Sequence, residues 1–319
     1  MMNHDNREDS RRALVISGGG SKGAFAGGIS EHLIKECKHD YRLYVGTSAG
    51  SLLVPLLALG ETDRLKHIFS NIRQEDIFSV CPFIIRKKDG VFHYKINHLN
   101  IVKMFFRGKK TFGESNNLLK LIHRLFTPED YERLRHSDKE VVVSVSNLST
   151  HQVEYKCLHE CSYQDFCEWM WISANFVPFM SLVEKNGMEY ADGGFGSYLP
   201  LQEAVLRGAD EIDAIMLQPK GYPPKEELPV ENAFGLLFRT IDFMLDQISF
   251  DDLYLGRIES KKRNVKLNCF YTPRVLTKNS FIFDAEQMAN WWKEGYHFAG
   301  MHPASCHHIN APSRFINEP

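Results

Sequence analysis

The sequence predicts a three-layer α/β/α sandwich with a mostly parallel central sheet, and three observations carry that expectation. Short runs such as 12–17 (RALVIS) and 41–46 (YRLYVG) are almost wholly apolar, as strands buried on both faces are. Helical patterns separate them along the chain. The first two strands and the helix between them fit within roughly 30 residues, the size of a βαβ unit, whose crossover makes the strands parallel.

The elements follow in order. The first strand ends at Gly18-Gly19-Gly20, and Phe25, Ile29, Leu33 and Cys37 then recur every four residues on one helix face. The second strand opens an uncharged stretch, 43–60, that is shorter than the roughly 20 residues of a membrane span. Gly46-Thr47-Ser48-Ala49-Gly50-Ser51 and Pro55 interrupt it, so strand, tight turn and buried helix is the better reading, with Pro55 expected to kink the helix. Residues 64–125 mix helical and loop signals and read as an irregular insertion. Thr127-Pro128 with acids behind it opens a helix. Adjacent strands are expected at 140–148 and 152–158, and a helix at 162–174 with Ser162 and Asp165 as a capping box. A short strand at 188–192 runs into Gly193-Gly194; a helix ending near Gly208 and a buried strand at 212–219 follow. Helices near 231–263, a strand at VKLNCFY and a helix capped by Asp284 complete one domain over 12–300, with tails at 1–11 and 301–319.

Composition narrows the function. Of 319 residues 43% are hydrophobic and 24% charged, an ordinary soluble globular balance, and a net charge of −2 gives no reason to expect nucleic acid. Residues 1–12 show no apolar stretch of a secretory signal, and seven scattered cysteines suit a reducing compartment, so a cytoplasmic location is expected. Charge is uneven, however. Cys81 to Leu125 holds ten Lys or Arg against two acids, interleaved with phenylalanines. Such a run is usually a solvated face; the sharper expectation is a peripheral contact with anionic lipid, with Lys87, Lys88, Lys109 and Lys110 as its candidates. Cys157, His159, Cys161 and Cys167, and Cys306-His307-His308, match no common zinc spacing, and no metal or organic cofactor is expected. No oligomeric state follows.

Two turns could carry chemistry. Gly18-Gly19-Gly20-Ser21-Lys22-Gly23 is formally G-x-G-x-x-G between strand and helix. The acid that a nicotinamide site wants after the second strand is missing, and no G-x-x-x-x-G-K-[ST] can be written there. What survives is backbone N–H groups at a helix N-terminus, which stabilise an anion. Gly46-Thr47-Ser48-Ala49-Gly50 is G-x-S-x-G, which at a strand-to-helix turn exposes the serine Oγ. The late histidines His297, His302, His307 and His308 keep a Ser-His-Asp triad open, but none is singled out by its setting. Asp192, after a strand and before Gly193-Gly194, is the better placed partner.

Together, GGGSKG (18–23), GTSAG (46–50) and DGG (192–194), in that order with 144 residues between Ser48 and Asp192, resemble the patatin-like phospholipase family. The similarity runs from about residue 12 to 220, and WISANFVPF with Pro178 is similar to the family's segment ahead of the aspartate. The resemblance implies a lipid acyl-ester hydrolase of phospholipase A or lysophospholipase type. It makes Ser48 the nucleophile, Asp192 the base that takes its proton directly, and amides around Gly19, Gly20 and Ser21 within the 18–23 loop the oxyanion hole. Gly46 and Gly50 flank the nucleophile elbow; an acyl-enzyme forms, and a phospholipid or other acyl-ester lipid is the partner. The chain departs from the pattern at Tyr198-Leu199-Pro200, where the family often has Asn before the proline, and at Pro55; both bear on substrate fit. An acyltransferase on the same scaffold and a non-catalytic lipid-binding module are the rival classes.

Overall fold

A computed structural model describes residues 11–88, 90–220, 229–230 and 232–301. The chain runs β1 (Arg12–Ile16), α1 (Gly23–Lys35), β2 (Leu43–Gly46), α2 (Ala49–Ala58), α3 (Thr62–Phe69), α4 (Gln74–Ile77), β3 (Phe83–Lys88), β4 (Val91–Ile96), α5 (His98–Phe106) and α6 (Asn116–Leu125). Then come α7 (Pro128–Arg135), β5 (Glu140–Asn147), β6 (Gln152–Cys157), α8 (Tyr163–Ser173), β7 (Val183–Lys185), β8 (Met188–Asp192), α9 (Leu201–Leu206), β9 (Glu211–Pro219), α10 (Ala233–Lys262), β10 (Lys266–Thr272) and α11 (Ala285–Met301).

The sheet order is β10-β9-β1-β2-β5-β8-β7, with β6 on the other edge of β5. β10, β9, β1, β2 and β5 are mutually parallel, and β6, β7 and β8 are the antiparallel additions. The sheet is therefore mostly parallel and covered on both faces. Leu14, Ile16 and Tyr44 join α1, α2, α8 and α11 in one core; Ala13, Val15, Leu43 and Val45 join α9 in the other, with Leu253 of α10 packed against it. That double burial is why the strands read as unbroken apolar runs.

One feature of the register builds the site. β2 pairs with the first half of β5, ending with Gly46 opposite Val143; β8 runs the other way along the same edge and ends with Asp192 opposite Val145. The carboxyl ends of the two strands meet head to head across Ser144, two residues of strand apart, or roughly 7 Å.

Several expected elements differ. Residues 64–125 are not irregular: they form α3 to α6 and a hairpin, β3–β4, whose sheet is separate from the main one. Their helices are short, four to ten residues, so none gives more than three turns of periodicity. Cys37 lies beyond α1, which ends at Lys35, and is exposed. The helices expected near 231–263 are one helix of 30 residues. β7, three residues long, is too brief to carry a period. Thr127 caps α7 with a reciprocal Asp130 box, and Asp284 caps α11 through its Oδ1 to the Gln287 N–H. Residues 1–10 and 302–319 of the tails, and His302, His307, His308 and Cys306 with them, lie outside the described residues.

Candidate active site

Ser48 sits at the N-cap of α2 with φ 54° and ψ −119°, a left-handed backbone that an L-residue occupies at a cost of about 1–3 kcal/mol. The surroundings force it. A Cβ on Gly46 would lie 2.5 Å from the Gly50 carbonyl carbon and oxygen, and one on Gly50 would lie 2.4 Å from the Ile16 carbonyl, so only glycine lets strand and helix meet this closely. The Ser48 N–H donates to Ser173 Oγ at 3.0 Å, and Ser51 Oγ donates to the Ser48 carbonyl at 2.6 Å. Ser48 is half-buried, its Oγ facing the cavity described below.

Asp192 receives it from the end of β8. Ser48 Oγ donates to Asp192 Oδ2 at 2.6 Å, and the Gly194 N–H donates to Oδ1 at 2.8 Å. Asp192 is 1% exposed, and no cation faces it among the described residues. Burial, opposed by those two hydrogen bonds, pushes its pKa up to about 7. Gly193 packs against Ser144, the residue in the gap between the two strand ends, and Ser144 Oγ lies 2.6 Å from Thr47 Oγ1.

The 18–23 loop closes the third side. Its N–H groups divide into used and open ones. The Gly18 N–H donates to the Tyr198 carbonyl, Ser21 to the Ser280 carbonyl, Lys22 to Gly19, and Gly23 back to Gly20 and Ser21. No acceptor stands on the Gly19 or Gly20 N–H among the described residues. Gly20 has φ 54°, and a Cβ there would fall 2.4 Å from the Ser280 carbonyl oxygen. The Lys22 ammonium donates to the Leu217 carbonyl at 2.7 Å.

These three pieces share one cavity enclosing about 1050 Å³, open mouth included. Most of its lining side chains are apolar, Leu52, Phe69, Ile72, Leu118, Leu121 and Met288 among them, and besides Ser48 and Asp192 the polar lining includes Lys22, Gln218, Asp242 and Ser280. Among the described residues the lining contains no histidine, and no three His, Cys, Asp or Glu side chains converge as a metal set. No helix among them is long and apolar enough to cross a membrane.

Some contributors carry no sequence signal. Ser173 and Ser280 look like any helix or loop serine. Asp252, on α10, accepts the Leu199 N–H at 2.8 Å and a second bond from Tyr198, and burial raises its pKa to about 7. The loop it holds also gives its Ser197 carbonyl to Thr47 Oγ1 and its Tyr198 carbonyl to Gly18, so the turns at 18–23, 46–50 and 192–194 all lean on it. Asp252→Ala orphans buried donors and is expected to cost about 1–3 kcal/mol in urea unfolding, with kcat falling more than KM rises. An unchanged kcat in a destabilised variant would make Asp252 purely structural.

The four lysines expected at a membrane are placed differently from one another. Lys87 pairs with Glu286 at 3.0 Å, Lys109 with Glu114 at 2.8 Å and Lys110 with Glu189 at 2.6 Å; Lys88 is exposed without an ion pair among the described residues.

A serine on a strained elbow, bonded to a buried carboxylate over a cavity with an apolar end, is the architecture of an acyl hydrolase of lipids. The model of the family described as patatin-like phospholipase matches residues 14–205, which hold Ser48, Asp192 and the 18–23 loop, and the chain belongs to that family. It is 20% identical over 215 residues to the uncharacterised protein YjjU of Escherichia coli K12, covering 66% of this chain and 53% of YjjU. The chain thus spans about half the length of that curated relative. Among solved structures, VipD from Legionella pneumophila gives a TM-score of 0.45 at 16% identity, over 92% of this chain and 66% of that one, too low a score to bear on fold or function. α10, β10 and α11 lie beyond the matched residues, yet α10, α11 and the loop before α11 supply part of the cavity wall, Asp242, Leu245, Ser280, Phe281, Phe283 and Met288.

Proposed function

We propose that the protein is a phospholipase A or lysophospholipase working through a Ser48–Asp192 dyad. The observation that carries the reading is the 2.6 Å bond from Ser48 Oγ to a carboxylate whose pKa is lifted to about 7, in a cavity lined largely by apolar side chains. Ser48 Oγ adds to the ester carbonyl as its proton passes to Asp192 Oδ2. The oxyanion forms against the open Gly19 and Gly20 amides, with the N-terminus of α2 behind Ser48. The ester C–O bond then breaks, Asp192 returns the proton to the leaving alcohol, and water cleaves the acyl-enzyme by the same route. A carboxylate with a pKa near the working pH suits both directions of that transfer.

The apolar lining suits the acyl chain as the buried group, each methylene contributing about 0.8 kcal/mol. Residues 12–300 act as one catalytic unit with 64–125 as its cap, at a cytoplasmic membrane face. The test is incubation with mixed phospholipid vesicles and mass spectrometry of the products. Release of free fatty acid and lysolipid, with fluorophosphonate labelling of Ser48, supports the reading; absence of both leaves a lipid-binding module. Leu121→Trp is expected to reduce turnover of a sixteen-carbon ester roughly tenfold while leaving a four-carbon ester alone, because it takes up space along the apolar lining. Equal losses on both esters count against an acyl channel there.

A further inference from the structure

α5, HLNIVKMFF, is amphipathic the wrong way round for a helix that only packs. Asn97 caps it through the Asn100 N–H, and Ile101 and Met104 are buried. Leu99, Val102, Phe105 and Phe106 point outward, 83%, 48%, 55% and 89% exposed. Four large apolar side chains on nine residues form a stripe at helical spacing that the fold itself does not cover. Lys103 and Arg107 flank the stripe, are exposed, and make no ion pair among the described residues; the helix carries no acid. The stripe also leads to the catalytic cavity. Phe105 meets Phe112 at 6.2 Å between ring centroids, Phe112 meets Phe179 at 5.8 Å, and Phe179 meets Phe281, in the cavity wall, at 5.6 Å.

We propose that α5 is an insertion helix that docks the protein on an anionic phospholipid bilayer, Leu99, Val102, Phe105 and Phe106 entering the acyl boundary while Lys103 and Arg107 sit in the headgroup plane. A bilayer supplies both terms at once: an apolar layer with no shape to match, and an anionic sheet at the height of the two cations. The lysines already held by Glu286, Glu114 and Glu189 contribute less, because their charge is neutralised within the fold. The purpose of the docking rests on the lipid-hydrolase reading; the binding itself does not.

The experiment uses the full chain and large unilamellar vesicles of phosphatidylcholine with or without phosphatidylserine. The wild type is expected to sediment with serine-containing vesicles, and Leu99→Ser/Phe105→Ser/Phe106→Ser to lose roughly tenfold or more of that partition. Lys103→Glu/Arg107→Glu should weaken it mainly at low salt. The Phe106→Trp variant should shift its emission to the blue on binding, and brominated lipid should quench it. Hydrolysis of a soluble short-chain ester and the melting temperature should match the wild type in every variant. A wild type that ignores the vesicles, a triple variant that still binds them, or an unshifted emission from the Phe106→Trp variant overturns the proposal. So does a triple variant that melts early, or one that only dissociates a dimer. Failure of the hydrolase reading shows separately, as a wild type that binds vesicles but cleaves no soluble ester.

Discussion

Ser48→Ala is expected to abolish ester hydrolysis, with kcat falling by roughly four orders of magnitude or more, and to abolish fluorophosphonate labelling. Alanine accepts the φ of 54° no worse than serine does, and the close approaches at Gly46 and Gly50 are untouched, so the elbow keeps its shape. What changes is local: Oγ disappears, and with it one of the two donors on Asp192. Circular dichroism and a melting curve check that the fold survives. Substantial hydrolysis by a folded Ser48→Ala protein would falsify the assignment of the nucleophile.

Asp192→Asn is the second large effect, roughly a thousandfold or more in kcat, because asparagine keeps the shape but takes no proton. His297→Ala, at a histidine that does not line the cavity, is expected to be near wild type. The pH dependence follows from the raised pKa. A base must be ionised, so wild-type kcat/KM should climb about tenfold per unit below pH 7 and level off above it. Stability runs the opposite way. With a folded value of about 7 against an ordinary 3.8, the folded state binds this proton more tightly than the unfolded one. The contribution to stability is therefore fully present below about pH 4 and is lost as pH rises to about 7. Three pKa units set an upper limit of about 4 kcal/mol on that loss. Asp192→Asn carries no charge for burial to penalise, so it should melt higher than the wild type at pH 8 and by a shrinking margin toward pH 4. A flat rate profile between pH 5 and 8 would remove Asp192 as the base. A melting gap that does not change with pH would remove burial as the cause of its shift.

Local order was legible where a few adjacent residues decide it. RALVI and LYVG are continuous apolar runs because both sheet faces are covered, and Thr127 and Ser162 each cap a helix with a side chain reaching the N–H three residues on. The turns at 18–23 and 46–50 were visible for the same reason: glycine is placed where the backbone itself must pass, and that demand is met within five or six residues. The short helices of 64–125 offered no such run, and the three residues of β7 could not show a period of two.

Other features exist only once the chain has closed. Nothing in Met188–Asp192 says that it runs antiparallel along β5, yet that register is what brings Asp192 to Ser48, 144 residues away, across Ser144. A turn aspartate in water would titrate in the ordinary carboxylate range; burial lifts this one to about 7. The lysines 87, 109 and 110 looked free because their acids, Glu286, Glu114 and Glu189, are brought to them by packing, two of the three from far along the chain. The phenylalanines among the bases of 81–125 could not be sorted by sequence, because apolarity is a property of the side chain, while exposure, as at Phe105 and Phe106, is a property of what the fold leaves uncovered. The sequence by itself determined the buried strands, the capped helices and the glycine turns, since those depend on neighbours along the chain. The meeting of Ser48 with Asp192, the raised pKa of Asp192, the apolar cavity lining and the outward face of α5 were decided by tertiary structure, because each is a relation between segments whose separation in sequence sets no distance in space.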